Sequence, residues 1–238
     1  MLHRGWFPES ITGQQVVLRR HVPANLAAYR RWYGDPEVAR LIGYRAGPMP
    51  VAQIDRFFQA RAVGPDALAL AIHVRATERL IGTCAFSQLD GDNGSALFHI
   101  TIGEKDAWGQ GYGREATELM LEHAFARLRL HRVALSVFAF NERAIRTYDK
   151  AGFVLEGRSR ESIWRDGRYW DELQMSVLEA EWQTRRSRDE TGLAAAVDGI
   201  PAGAGAILAG SDREGSAGEG DGADRGEVEP VAKVERRA

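Results

Sequence analysis

The sequence predicts a mixed fold of the α/β (α+β) type, a mostly antiparallel sheet flanked by helices, in one domain that closes on a C-terminal hairpin. Three observations carry that prediction. Asp90-Gly91-Asp92-Asn93-Gly94 and Asp166-Gly167 each stand between two strand-like runs and read as hairpin turns. Val133 to Phe140 is almost continuously apolar, which suits a strand covered on both faces. Segments of helical period flank that strand on either side.

The elements follow in order. Val16 to Arg19 is a short strand before the turn signal at Pro23. Asn25 to Tyr33 has helical spacing (Leu26, Tyr29, Tyr33), and Gly34-Asp35-Pro36 stops it. Pro36 then opens a second short helix, because a proline at the first position forfeits no hydrogen bond. Val51 to Ala62 is a third helix, with Ile54, Phe57 and Phe58 on one side. Leu68–Val74, Leu80–Leu89 and Ser95–Ile102 are strands. A helix over about Arg114–Leu130 repeats Ala116, Met120, Ala124 and Leu128 every fourth residue. After the apolar strand, Asn141–Lys150 is a helix closed by Gly152. Phe153–Arg165 and Arg168–Leu178 form the final hairpin, whose second arm alternates Leu173, Met175 and Val177 with Glu172, Gln174 and Ser176.

Composition sets the boundaries. The chain has 238 residues and a formal net charge of −2, so no chain-wide field draws it to nucleic acid or to a membrane surface. The single cysteine, Cys84, rules out an intrachain disulfide and any multi-cysteine zinc site, and no metal is expected. Cys84 reads as a small buried hydrophobe. Neither a spanning helix nor a secretory leader is legible, and a cytoplasmic protein is the expectation. All six tryptophans lie before residue 183, and no Phe or Tyr follows. The domain is therefore expected over 1–182, with 183–238 a disordered low-complexity tail.

Two segments carry chemistry. Trp108-Gly109-Gln110-Gly111-Tyr112-Gly113-Arg114 joins a strand to a long helix. Glycines let the backbone turn sharply and bring successive N–H groups near a ligand, and the helix start adds unpaired donors. The result is an anion site able to hold a pyrophosphate, or else a turn with no ligand. The spacing is neither G-x-G-x-x-G nor a Walker loop. The second segment, Asn141-Glu142-Arg143-Ala144-Ile145-Arg146-Thr147-Tyr148, places Asn141, Ala144 and Tyr148 on one helix face. Taken singly, Asn141 reads as an N-cap and Tyr148 as a core aromatic.

The two segments together, W-G-Q-G-Y-G-R-E-A and N-E-R-A-I-R-T-Y-D-K-A-G-F-V-L-E-G, resemble the GNAT superfamily of acetyl-CoA-dependent N-acetyltransferases. The branch that looks closest holds ribosomal-protein N-terminal acetyltransferases and spermidine N-acetyltransferases. The resemblance covers about residues 14–180 and implies a GNAT-like sheet. It implies that the main chain of Gln110, Gly111, Tyr112, Gly113 and Arg114 holds the pyrophosphate of coenzyme A. It implies that Ile100, Thr101 and Ile102 pair with the pantetheine arm, that Asn141 and Ala144 lie beside it, and that Tyr148 sits by the thioester sulfur. Self-association as a homodimer through the final hairpin is implied as well. Many relatives carry a Glu and a Gly where Leu97 and His99 stand here, so a base inferred from that Glu does not transfer.

Acetyl transfer needs a neutral amine, a polarised carbonyl and a protonated leaving thiolate. Tyr148 is the expected general acid. His99, of a side-chain type that titrates near neutrality, is the candidate base or else a strand histidine packed against the neighbouring helix, and Glu104 and Glu161 are weaker candidates. Glu156 and Glu161 on the final hairpin are candidate substrate-binding acids for a cationic amine. An α-amine, with a reference pKa of about 8, needs less help to deprotonate than a side-chain amine at about 10.4. A protein N-terminus or small amine is the leading acceptor. A polyamine or aminoglycoside-like amine is the alternative, and a non-catalytic acyl-CoA sensor the alternative of another class.

Overall fold

Alternation and turn chemistry place the strands; burial of their apolar faces decides how they associate. The computed structural model describes residues 7–43, 47–64 and 67–198, with side chains given through 188. The chain divides at Ala194 into two units. The architecture below is that of the first. Of the second, only helical residues 195–198 are described.

Eight strands form one sheet: β1 (Ser10–Thr12), β2 (Val16–Arg20), β3 (Ala69–Val74), β4 (Leu80–Asp90), β5 (Ser95–Ile102), β6 (Arg132–Phe138), β7 (Val154–Arg165) and β8 (Arg168–Leu178). Their order is β1-β2-β3-β4-β5-β6-β8-β7. Every neighbouring pair is antiparallel except β5 and β6, which run parallel. The sheet is the mostly antiparallel one expected. It gains β1, three residues too short to show a period.

The helices are α1 (Leu26–Gly34), α2 (Pro36–Ile42), α3 (Val51–Phe58), α4 (Tyr112–Glu122), α5 (Glu142–Ala151) and α6 (Glu179–Asp198). Asp35 caps α2, accepting from the N–H groups of Glu37 (2.8 Å) and Val38 (3.1 Å), and Pro36 takes the first position. After α3 the helix widens into a π turn over Gln59–Val63, and α4 does the same over His123–Arg127.

One core lies between the sheet and α4, built from Leu18, Leu70, Ile72, Met120, Leu121 and Phe125, all essentially inaccessible. A second joins α1 to α3, where Tyr29 meets Phe58 edge-on at 4.8 Å and Trp32 is 1% exposed.

The boundary drawn at 182 is corrected by α6, which carries the chain on to Asp198. Trp182 anchors its first turns against Phe125 at 5.5 Å, and Arg186 lies over that indole. Gln, Arg, Glu and Ala are good helix formers although none is bulky and apolar, so absence of aromatics is not absence of helix. The remainder of the predicted disordered tail, 199–238, lies outside the described residues.

A buried polar cluster ties β2 and α1 to β4. His21 Nε2 lies 3.0 Å from Thr83 Oγ1, the Tyr29 hydroxyl donates to the same oxygen at 2.9 Å, and Asn25 Nδ2 reaches His21 Nδ1 at 3.1 Å. Burial, reinforced by nearby His73, pushes the His21 pKa down to about 4. The unfolded chain therefore binds a proton near 6.5 that the folded chain refuses until about 4. Stability is then full above pH 6.5 and falls as pH drops toward 4, by on the order of 3 kcal/mol. Urea midpoints at pH 7.5 and 5.0 are expected to show this loss in the wild type and much less of it in His21→Gln. An unchanged pH slope in the variant would assign the loss to other groups.

Candidate active site

The parallel pair is where the site begins. β5 and β6 share only the pairings Ser95↔Arg132, Ala96↔Val133 and Leu97↔Ala134. Beyond Leu97 the strands part. β5 continues to Ile102 against β4, and β6 continues to Phe138 against β8. On its β6 side the last stretch of β5 has no strand partner, so its main-chain groups facing that way, apart from the Ile102 carbonyl that Trp108 takes, are left for another hydrogen-bonding chain. Into this wedge opens a cavity of about 1330 Å³, lined by His99, Ile100, Thr101 and Ile102 on one wall and Leu135 to Phe138 on the other.

The glycine turn closes one end. Gly111 caps α4 at φ +89°, in the left-handed region that a side chain disfavours, and no side chain caps the helix. The first-turn N–H groups of Tyr112, Gly113 and Arg114 are therefore aimed outward without helical acceptors. Gly111, Gly113 and Arg114 line the cavity. The side chains of Gln110 and Tyr112 do not: Gln110 Nε2 donates to the Asp106 carbonyl, and the Tyr112 ring packs on the core. Only their main chain serves the turn. Trp108, the unusual residue opening it, donates from Nε1 to the Ile102 carbonyl at 2.7 Å, with Arg143 stacked 3.9 Å over its ring. One indole thus joins the turn, the end of β5 and α5.

α5 supplies the opposite side. Asn141, Ala144 and Tyr148 all line the cavity from one face, as their spacing predicts. Asn141 is also the N-cap: its Oδ1 accepts from Ala144 N–H at 3.3 Å, which leaves Nδ2 for a ligand. Tyr148 is 8% exposed, its ring against Phe153 at 5.7 Å. Its hydroxyl has no hydrogen-bond partner among the described residues, and burial pushes its pKa well above the usual phenol range. It is protonated at any working pH.

His99 stands on the β5 wall, with Nε2 2.6 Å from Ser87 Oγ. Partial burial, and after it the charge of Arg61, hold its pKa below the usual histidine value, so the ring is neutral at pH 7. Glu104 is committed elsewhere. Against the cost of its partial burial, Arg31, the Trp32 indole and Arg79 hold its carboxyl below the usual range. Cys84 is buried, with a thiol pKa raised by desolvation, and has no activating base.

The candidate acids of the hairpin are not brought to the cavity. Glu156 forms a two-pronged ion pair with Arg132. Glu161 is exposed on the outer strand β7, its N–H donating to Asp171 at 2.8 Å. β7 forms the edge of the sheet, with β8 between it and the wedge. Ser87, Arg61 and the Trp108 indole are site residues that sequence reasoning did not find. The first two lie in ordinary amphipathic elements with no motif to mark them. A tryptophan directly before the glycine turn was the one available signal for the third.

The geometry is that of a wedge-shaped cleft with the uncapped start of α4 at one end. A model of the acetyltransferase (GNAT) domain matches residues 15–154, more than half of the chain. The chain belongs to the GNAT acetyltransferase family. As a GNAT protein it is an acetyl-CoA-dependent N-acetyltransferase. An uncharacterized N-acetyltransferase p20 from Bacillus licheniformis is 26% identical over 183 residues, 73% of this chain and 98% of that protein. The spermidine N(1)-acetyltransferase of Vibrio cholerae is 32% identical over 110 residues, 46% of this chain and 63% of that protein. The solved structure of spermidine N-acetyltransferase from Vibrio cholerae, in complex with CoA and spermine, shares the fold. It is 22% identical with a TM-score of 0.63, covering 72% of this chain and 99% of that one. Among the described residues no helix is long and apolar enough to cross a membrane.

Proposed function

We propose that this GNAT enzyme acetylates a primary amine, a protein or peptide N-terminal α-amine or a small amine, by direct attack with Tyr148 as general acid and His99 as base. The observation that carries the reading is the β5–β6 wedge, which has the glycine turn at one end and puts His99 and Tyr148 in its opposite walls. Bound acetyl-CoA supplies an activated acetyl group on sulfur.

Main-chain donors from Gln110 to Arg114 hold the pyrophosphate, backed by the positive end of α4. The free edge of β5 at Ile100, Thr101 and Ile102 pairs with the amides of the pantetheine arm, and a main-chain N–H there polarises the acetyl carbonyl. Asn141 Nδ2 and Ala144 border the arm from α5. In the tautomer whose Nε2–H donates to the nearby Ser87 Oγ, the lone pair on His99 Nδ1 takes the proton that the amine loses as the new C–N bond forms. Tyr148 gives its hydroxyl proton to the sulfur as the C–S bond breaks, and solvent restores both groups.

This assigns the low-pH limb of kcat to protonation of His99 at a pKa below the ordinary 6.5. Two acceptors with different amine pKa values separate the contributions: a limb from the amine moves with the acceptor, and the limb from His99 does not. His99→Ala is expected to lower kcat about 100-fold and to remove the fixed limb. A fixed limb that persists in His99→Ala would exclude His99 as the base.

The spermidine N(1)-acetyltransferase relative favours a polyamine as second reading. Thiol release from acetyl-CoA with N-terminal peptides, small amines, spermidine and aminoglycosides tests both. Turnover confined to peptides and small amines supports the first. Turnover confined to spermidine replaces it with the second. Tight acetyl-CoA binding without turnover on any amine would overturn the acceptor class proposed here.

A further inference from the structure

The cleft carries an arginine with no evident duty. α3 buries Ile54 and Phe58 against α1, and the helix then widens into the π turn Gln59–Val63. Widened turns of this kind shift the side chains that follow and are frequent at functional sites. Here the turn buries Ala62 and brings Ala60 and Arg61 to the lining of the cavity. Arg61 and His99 line the same cavity, and the charge of Arg61 is felt by His99.

Many arginines that the structure describes pair with carboxylates, among them Arg30 with Asp55, Arg40 with Asp166 and Arg79 with Asp106. Within the cavity, Arg114 is paired with Glu118 and Arg146 with Glu142, while Arg143 is stacked on Trp108. Arg61 has no carboxylate partner among the described residues. The acids in its surroundings are equally telling. Glu172, across the cavity on β8, is the one carboxylate lining it among the described residues, and Glu156 and Glu161 face elsewhere. A polycationic acceptor would meet repulsion near Arg61 and little to offset it.

We propose that Arg61 binds a carboxylate on the acceptor, so that the enzyme selects a primary amine with a carboxylate close by: an α-amino acid, or a peptide whose first residue is acidic. This rests on the acetyl-transfer reading above and names the acceptor class for it. The planar guanidinium offers two parallel N–H donors to a carboxylate, which fixes orientation as well as charge. With that end held, the amine lies beside His99, and the chemistry at the acetyl group is unchanged. Sequence spacing gave no hint of this. Arg61 is one arginine among many in a helix, and the π turn is what directs it.

The test measures kcat/KM on matched pairs that differ in one carboxylate. Alanine is compared with alaninamide, and Glu-Ala-Ala-amide with Gln-Ala-Ala-amide, with spermidine alongside, for wild type, Arg61→Ala and Arg61→Lys. In the wild type the carboxylate member of at least one pair is expected to lead by about 10- to 100-fold. The preference should vanish in Arg61→Ala and survive in part in Arg61→Lys, with acetyl-CoA affinity unchanged in both. The pair that shows it tells free amino acid from peptide. Equal or better use of the neutral members or of spermidine, or a preference that survives in Arg61→Ala, would overturn this inference and leave acetyl transfer standing. Acetyl-CoA binding with no acceptor used would overturn the acceptor class under both readings.

Discussion

Tyr148→Phe is expected to lower kcat by 10²- to 10⁴-fold while leaving acetyl-CoA affinity within about threefold. The substitution removes one hydroxyl and nothing else of consequence. The ring keeps its place against Phe153, and no hydrogen bond to a described residue is lost. Folding stability should therefore change by less than about 1.5 kcal/mol. Burial disfavours the phenolate, so the hydroxyl is a donor across the whole working range and Tyr148 contributes no alkaline limb within it. Its effect should appear as a pH-independent loss in kcat. Single-turnover thiol release separates the chemical step from product release, and acetyl-CoA titration reads binding. Wild-type turnover in the variant would remove Tyr148 from the mechanism; weakened acetyl-CoA binding with kcat preserved would make it a binding residue instead.

Gly103→Ala is expected to be strongly destabilising. Gly103 directly follows β5, and a Cβ there would lie 2.1 Å from Cγ of Trp32. Trp32 cannot step aside cheaply. It is 1% exposed, packs in the α1–α3 core, and donates from Nε1 to Glu104 at 2.8 Å. Either the indole leaves its place or the end of β5 moves, at a cost of about 3 kcal/mol. For a domain of this size that lowers Tm by roughly 6–12 °C. The movement matters for activity because Ile102, next to Gly103, is also held by Trp108 and forms the wall of the wedge. Denaturant midpoints for Gly103→Ala, Trp32→Ala and the double variant check the cause. If the clash is responsible, the double variant loses less than the sum of the singles. Simple additivity would show that the indole is not what the methyl meets.

How far the residues alone disclosed this protein depended on the range of the interaction involved. Turn chemistry at Asp90–Gly94 and Asp166-Gly167, the proline at the start of α2 and the apolar stripe that recurs every fourth residue from Ala116 are local, and each placed its element. The glycine turn and the Asn141–Tyr148 face are local too, and they marked the two banks of the cleft and the family. The base was legible only as a histidine on a strand. What lowers the His99 pKa is burial first and then the charge of Arg61, distant in sequence, and its partner Ser87 comes from the neighbouring strand. The charge of the hairpin acids is visible in the sequence while their placement is not: Arg132 pairs with Glu156, and Glu161 is exposed on the outer strand. Composition misplaced the end of the domain because Trp182, the last bulky residue, begins the docking of α6 and does not end it.

By itself, then, the sequence determined most of the elements and the mostly antiparallel sheet, because helix period, strand alternation and turn chemistry act over a few residues and leave their pattern in order along the chain, and its two motifs carried the resemblance to the acetyltransferase family. The tertiary structure alone decided that β5 and β6 part after Leu97, that a π turn sends Arg61 into the opening, and that Trp108 clasps Ile102. Those are contacts between segments remote in sequence or shifts of register within a helix. They follow from how buried faces settle against one another, which no local pattern records.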